Sequence, residues 1–215
     1  MRSTSKNKSS TSVPSVAVGD SLILPSSGAR NLGVYFDDNL DLKQHIANVC
    51  RLCYFQLRQL RVIRRSLSKD VIKTLLHAFV ANRLDYCNSL YFGLPKYCIQ
   101  KLQAVQNAAA RLFGGLAKYD HVTPILRELH WLPVSERINY KIAMLVFKSL
   151  HHLAPDYLTR MCNLASDNVG LSRNRSATNG DLIPACWKTK HFGQRGFEFA
   201  APAACNSLPL RNCQR

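Results

Sequence analysis

From Leu42 onward the apolar residues recur at steps of three and four, with Leu42, Ile46, Val49, Cys50, Cys53, Leu57 and Leu60 falling on one side of a helix. A strand, whose faces alternate at every residue, cannot carry that period, so the body of the chain must be helical. The spacing returns in Val71, Ile72, Leu75, Leu76, Phe79 and Val80. It appears again in Ile99, Leu102, Val105, Ala109, Leu112, Phe113 and Leu116, and in Ile138, Ile142, Leu145, Val146 and Leu150. Local signals punctuate these stripes. Asp41 or Asn39 can cap the first helix, and Ser68 with Asp70 opens the second, which should end near Asn88. Tyr91-Phe92-Gly93-Leu94-Pro95 breaks the chain, Gly114 and Gly115 offer a left-handed C-cap to the third helix, and Pro124 and Pro155 each start a short one.

Ahead of the helices, Ser15 to Val18, Ser21 to Leu24 and Asn31 to Phe36 are short β-prone runs separated by turn residues, which predicts a small antiparallel β meander. The expected fold is therefore mainly α. A disordered basic tail covers 1–14, the meander 15–40, a helical bundle 41–165 and an irregular C-terminal extension 166–215. No stretch reaches the roughly 18 apolar residues that a membrane span needs, and Met1 to Ser12 has no apolar segment of a secretory signal, so an intracellular protein without a membrane partner is expected. Thiols stay reduced in that compartment, and most of the eight cysteines read as small core residues.

Charge narrows the partner. Lys and Arg number 29 against 13 acids, a formal net charge of +16 that suits a polyanion. Between Asp41 and Asp70 there is no acidic residue, while Lys43, Arg51, Arg58, Arg61, Arg64, Arg65 and Lys69 are all present. Arg51, Arg58 and Arg65 recur at seven-residue intervals on the side away from the apolar stripe, with Tyr54 beside them. The candidate nucleic-acid contacts are thus Lys43, Arg51, Tyr54, Arg58, Arg61, Arg65 and Lys69, cations for phosphates and a ring for a base. A merely solvated helix face has a similar look, although such faces usually interleave Glu for i,i+4 pairing.

Other constellations are weaker. In Tyr35-Phe36-Asp37-Asp38 the paired carboxylates resemble a two-metal turn, but such chemistry needs a third carboxylate on a neighbouring strand, and upstream there is only Asp20. Helix capping is the simpler role for Asp38, Asn39 and Asp41. Cys50-x-x-Cys53 lies inside an apolar stripe without a second pair, and Cys186, His191, Cys205 and Cys213 follow no zinc spacing. His130-Trp131 reads as a packed turn and His151-His152 as a helix end. No catalytic residue, metal site or cofactor is expected.

Several segments, in order, resemble the non-LTR retrotransposons. Leu32-Gly33-Val34, Asp37, Leu40 and His45-Ile46 are similar to the segment just after the palm hairpin of a LINE-type, jockey-like reverse transcriptase. Arg83 to Leu90 and Gly93-Leu94-Pro95 resemble its thumb, continued by Gln103, Val105 to Arg111, Leu129 to Val134, Arg137-Ile138 and Ala154 to Leu158. The tail, with Phe197, Ala201-Pro202 and Asn206-Ser207-Leu208-Pro209, resembles the same reading frame, so the likeness runs from about Ser15 to Pro209. Cys205 stands where the family pattern leads to tryptophan, and Leu171-Ser172-Arg173-Asn174 departs from it too. The resemblance implies a thumb-like bundle that would close on a primer–template duplex from one side. It also implies that Asp37 belongs to the leucine–glycine segment and not to the catalytic turn. The family's endonuclease, fingers and palm, and with them its RNA-directed DNA polymerase carboxylates, have no counterpart here. A start at Met1 followed by mid-palm sequence fits a truncated copy. The expectation is a noncatalytic fragment that grips RNA or an RNA/DNA hybrid; the alternatives are a relic with no selected function, and polymerase activity only with a palm-bearing partner chain.

Overall fold

The computed structural model describes residues 15–24, 26–170, 173–186 and 193–208. The expected basic tail, together with His191, Cys213, Pro209 and Leu171-Ser172, lies outside the described residues. The chain is mainly helical, with short antiparallel strands ahead of the helices. The β runs pair two by two instead of forming one meander. Strand β1 (Val16–Val18) pairs with β2 (Ser21–Ile23), and β3 (Gly28–Asn31) pairs with β4 (Val34–Asp37). All of β1 and β2 is exposed, whereas Val34 of β4 is buried against the helices, so only the second hairpin has a core to join.

Helix α1 (Lys43–Ile63) buries Ile46, Val49, Cys53, Leu57 and Leu60, the stripe that the period predicts. Its start differs from expectation. Leu42, in a left-handed conformation, occupies the cap position without a side-chain hydrogen bond. Asp37 Oδ1 instead accepts from Asp41 N at 2.6 Å, tightening the turn that leads into the helix. A 3-10 turn at Arg64–Ser66 leads to α2 (Lys69–Leu76), which Ser68 caps by accepting from Val71 N at 3.4 Å. A π-turn at His77–Ala81 joins α2 to α3 (Asn82–Asp85). The wider turn shifts the helical phase, which is why Phe79 reaches the surface while Val80 and Ala81 are buried. The helix ends at Asp85, before the predicted Asn88, because Tyr86 turns extended and its hydroxyl donates to the Leu32 carbonyl.

Helix α4 (Lys96–Gly114) carries Leu102, Val105, Ala109, Leu112 and Phe113 into the centre and makes the most extensive helix contact of the fold, with α1. Gly115 closes it at φ 68°, the left-handed C-cap foreseen, so Leu116 lies beyond the helix. After α5 (Thr123–Glu128) comes α6 (Val134–Leu150), burying Ile138, Ile142 and Val146, then α7 (Asp156–Thr159) and α8 (Arg175–Thr178).

A polar joint locks α4 to α6. Gln106 is 0% exposed; its Nε2 donates to Leu132 O at 2.8 Å and its Oε1 accepts from Gln103 Nε2 at 2.9 Å. Gln103 Oε1 accepts from Val134 N at 2.9 Å, satisfying an orphan amide at the start of α6. Arg137 Nη1 donates to both oxygens of Asp85, at 2.9 and 2.7 Å, while its Nε donates to Leu132 O and the guanidinium lies over the Trp131 ring. Trp131 is buried and donates to His77 Nε2, so the tryptophan packs as expected, while His130 before it is exposed in a left-handed conformation.

The C-terminal extension is less irregular than its composition suggests. Leu164 bridges to Leu182, whose backbone Asn206 clamps through both its amide donor and its carbonyl oxygen. Residues Phe197–Cys205 form α9 despite Pro202 inside it, because Ala200, Ala201 and Ala204 are small enough to let the helix bury itself on α6. Cys205, at the position where tryptophan was anticipated, lines a cavity of ≈ 380 Å³ between α6 and α9, space that a larger side chain would fill.

Candidate nucleic-acid interface

The seven predicted contacts do not share one strip. Lys43 is paired with Asp41 and is thereby partly neutralised. Arg51, Tyr54, Arg58 and Arg61 project from α1, all exposed. Arg65 falls in the 3-10 turn past the helix end and Lys69 is the first residue of α2, so the heptad reading stops one turn too late.

The structure instead gathers cations in a groove between α1 and α4 with a volume of ≈ 710 Å³. Tyr54 and Arg61 line it from α1, and Asn107 and Arg111 from α4, with Lys118 at one end. Ala104 and Ala108 lie along the α4 side, and their small side chains leave the trough open. No carboxylate is among its lining residues. Arg111 is half-buried and its Nε has no hydrogen-bond partner, a desolvated donor that an anionic acceptor would satisfy. Burial is the chief cause that raises the Tyr54 hydroxyl pKa, while Arg111 lowers it. A neutral phenol beside a guanidinium suits stacking against a base next to its phosphate.

Arg64, which also lines the groove, does other work. Its Nε donates to Leu112 O at 2.6 Å and a terminal nitrogen reaches Phe113 O, so it neutralises the negative end of α4. Sequence reasoning missed Arg111 and Lys118. The available signal was a second run without acids, from Tyr86 to Tyr119, matching the one from Asp41 to Asp70.

The remaining candidates behave as local structure. Asp37 bonds backbone, and Asp38 accepts from Asn39 N at 3.0 Å. Cys53 is 0% exposed and burial pushes its thiol up to about 11, with Cys50 raised for the same reason. These thiols are core residues and not nucleophiles. Among the described residues, no three His, Cys, Asp or Glu side chains are grouped so as to hold a metal ion. Nor is any helix among them long and apolar enough to cross a membrane. No protein-family model, curated protein or solved structure matches the chain.

Proposed function

We propose that this chain is a noncatalytic nucleic-acid grip, related to the helical segment that follows the palm of LINE-type reverse transcriptases, and that it holds RNA or an RNA/DNA hybrid by the phosphate backbone. The observation that carries the proposal is the α1/α4 groove, where Arg61, Arg64, Arg111 and Lys118 surround Tyr54 with no carboxylate among the lining residues. Backbone contacts of this kind position a strand without reading its sequence. Binding to a fluorescein-labelled RNA/DNA hybrid, followed by anisotropy across a salt series, tests it. The wild type should weaken steeply with salt, and Arg61→Glu/Arg111→Glu/Lys118→Glu should lose most of the affinity. A folded wild type that shows no salt-sensitive binding would refute the grip, and one that melts without a cooperative transition would favour the relic.

A second reading rests on β1 and β2, where Val16, Val18, Leu22 and Ile23 are all exposed. Apolar side chains left open on a hairpin suit a palm-bearing partner chain that covers them. In that setting polymerase activity would belong to the pair. Primer extension with such a chain and Mg²⁺ should then require both components, and no incorporation by the mixture rejects this reading.

A further inference from the structure

The opposite flank of α1 carries a second basic groove, and we propose that it is a pocket for one unpaired nucleotide. The inference rests on the nucleic-acid reading above and assigns the strand a second contact. The groove has a volume of ≈ 670 Å³ and lies between α1, the β3–β4 hairpin and the π-turn with α3. That is within the roughly 300–1,000 Å³ typical of small-molecule pockets. The bond from the Tyr86 hydroxyl to Leu32 O ties the hairpin turn to the end of α3 and fixes the separation of two walls.

Its chemistry is that of a nucleotide. Arg30, Arg51 and Arg83 come from three different elements, and no carboxylate lies among the lining residues. None of the three guanidinium groups has an ion pair among the described residues. Guanidinium groups brought to one groove without a counter-charge suit a phosphate, which can accept two parallel N–H bonds from a single guanidinium. Tyr35 lies directly across the hairpin from Arg30, and Tyr86 is half exposed on the far wall, so flat rings stand beside the cations. Asn48 and Asn82 add amides, each with the donor and acceptor that a base edge requires.

His45 adds an unpartnered nitrogen to the wall of the groove, its ring 6.1 Å from that of the buried Tyr91. It lines the same groove and is only 7% exposed. Its Nδ1 accepts from Tyr35 N at 3.4 Å, which assigns the proton to Nε2, and Nε2 is buried with no partner. Burial lowers the His45 pKa, so the ring is neutral and Nε2–H is a donor at neutral pH. A base within a duplex has its faces stacked and its edge paired. Only an unpaired nucleotide presents ring, edge and phosphate together.

Calorimetric titration of the full chain with adenosine monophosphate, adenosine and inorganic phosphate tests the pocket. Adenosine monophosphate should bind more tightly than either part. Its affinity should fall by about tenfold or more in Arg51→Gln/Arg83→Gln and hold in Arg61→Gln/Arg111→Gln. Asn82→Asp, an exposed change that adds a carboxylate, should weaken it as well if the double variant fails to fold. No binding by the wild type, equal binding of inorganic phosphate, or sensitivity to the first-groove variant alone would overturn the proposal. Hybrid binding measured on the same proteins separates the two claims, since the nucleotide pocket can fail while the hybrid still binds, and the reverse.

Discussion

The α4–α6 joint and the α1/α4 groove are built from similar residues and treat them in opposite ways. In the joint, Gln103, Gln106, Asp85 and Arg137 are mutually bonded or bonded to backbone. In the groove, Arg61, Arg111 and Lys118 collect with no acid among the lining residues. Polar groups that satisfy one another specify the fold, because removing one strands its partner. Cations left unpaired contribute little to folding and remain available to a ligand. The two regions should therefore separate under mutation, with the joint governing stability and the groove governing binding.

The largest effect is expected from Gln106→Leu, which keeps the volume and removes the bonds. Leu132 O would keep its bond from Arg137 and the Gln103 amide its bond to Asn107, so the loss is that of two buried bonds and not of two orphaned groups, about 1–3 kcal/mol in total. Thermal melting should fall by roughly 3–10 °C for a chain of this size. An unchanged melting temperature would mean that water replaces the glutamine and that the joint is not what orders α6.

Gly115→Ala comes next, and it probes the one groove cation that is also structural. A Cβ at this position would lie 2.5 Å from the Arg64 guanidinium, on a backbone at φ 68° that disfavours side chains. The expected loss is about 1–2 kcal/mol by denaturant titration. If displacement of Arg64 is the cause, Arg64→Ala combined with Gly115→Ala should cost less than the two added separately.

This division explains what the sequence could and could not reveal. The buried faces of α1, α4 and α6 were legible because their apolar period depends only on neighbours three or four residues apart. So were the Ser68 cap and the Gly115 terminus, which are short-range events. The exposure of Phe79 was not, since one π-turn rotates everything after it. Helix α9 was hidden as well: Phe197 to Cys205 is apolar nearly all round with a proline inside, and only its packing on α6 makes it helical. The groove depends on Arg61 meeting Arg111, a juxtaposition that no local window contains. The segments that suggested a retrotransposon relative include the joint residues Asp85, Gln103, Gln106, Trp131 and Arg137, which gives those letters a mechanical role in holding helices together.

Acid should loosen the joint before the groove. His77 accepts from the Trp131 indole, and burial, with Lys73 and Arg137 nearby, lowers its pKa, while Asp85 acts against the shift. Protonation would place a donor against a donor. Because the folded pKa lies below the unfolded value of about 6.5, the stabilisation is present above that pH and is lost as pH falls toward and through the folded value. Melting temperature should decline from pH 7.5 to 5, with His45 contributing in the same sense. His77→Gln keeps an acceptor without the titration and should flatten part of the slope. An equally steep slope in that variant would place the sensitivity elsewhere.

The smallest stability effect should come from the groove itself. Arg61→Gln/Arg111→Gln/Lys118→Gln removes three like charges and an orphaned Nε, and among the described residues it breaks no hydrogen bond or ion pair, only the exposed contact of Lys118 with the Tyr119 ring. Unfolding free energy should move by no more than about 0.5 kcal/mol, with relief of repulsion favouring a gain. Hybrid affinity should nonetheless fall, and the slope of log affinity against log salt should shrink by up to about 0.9 for each phosphate contact removed. Weakened folding with unchanged binding would invert the assignment and make these cations part of the scaffold. Lost binding at constant stability would place the function in charges that the fold leaves uncompensated.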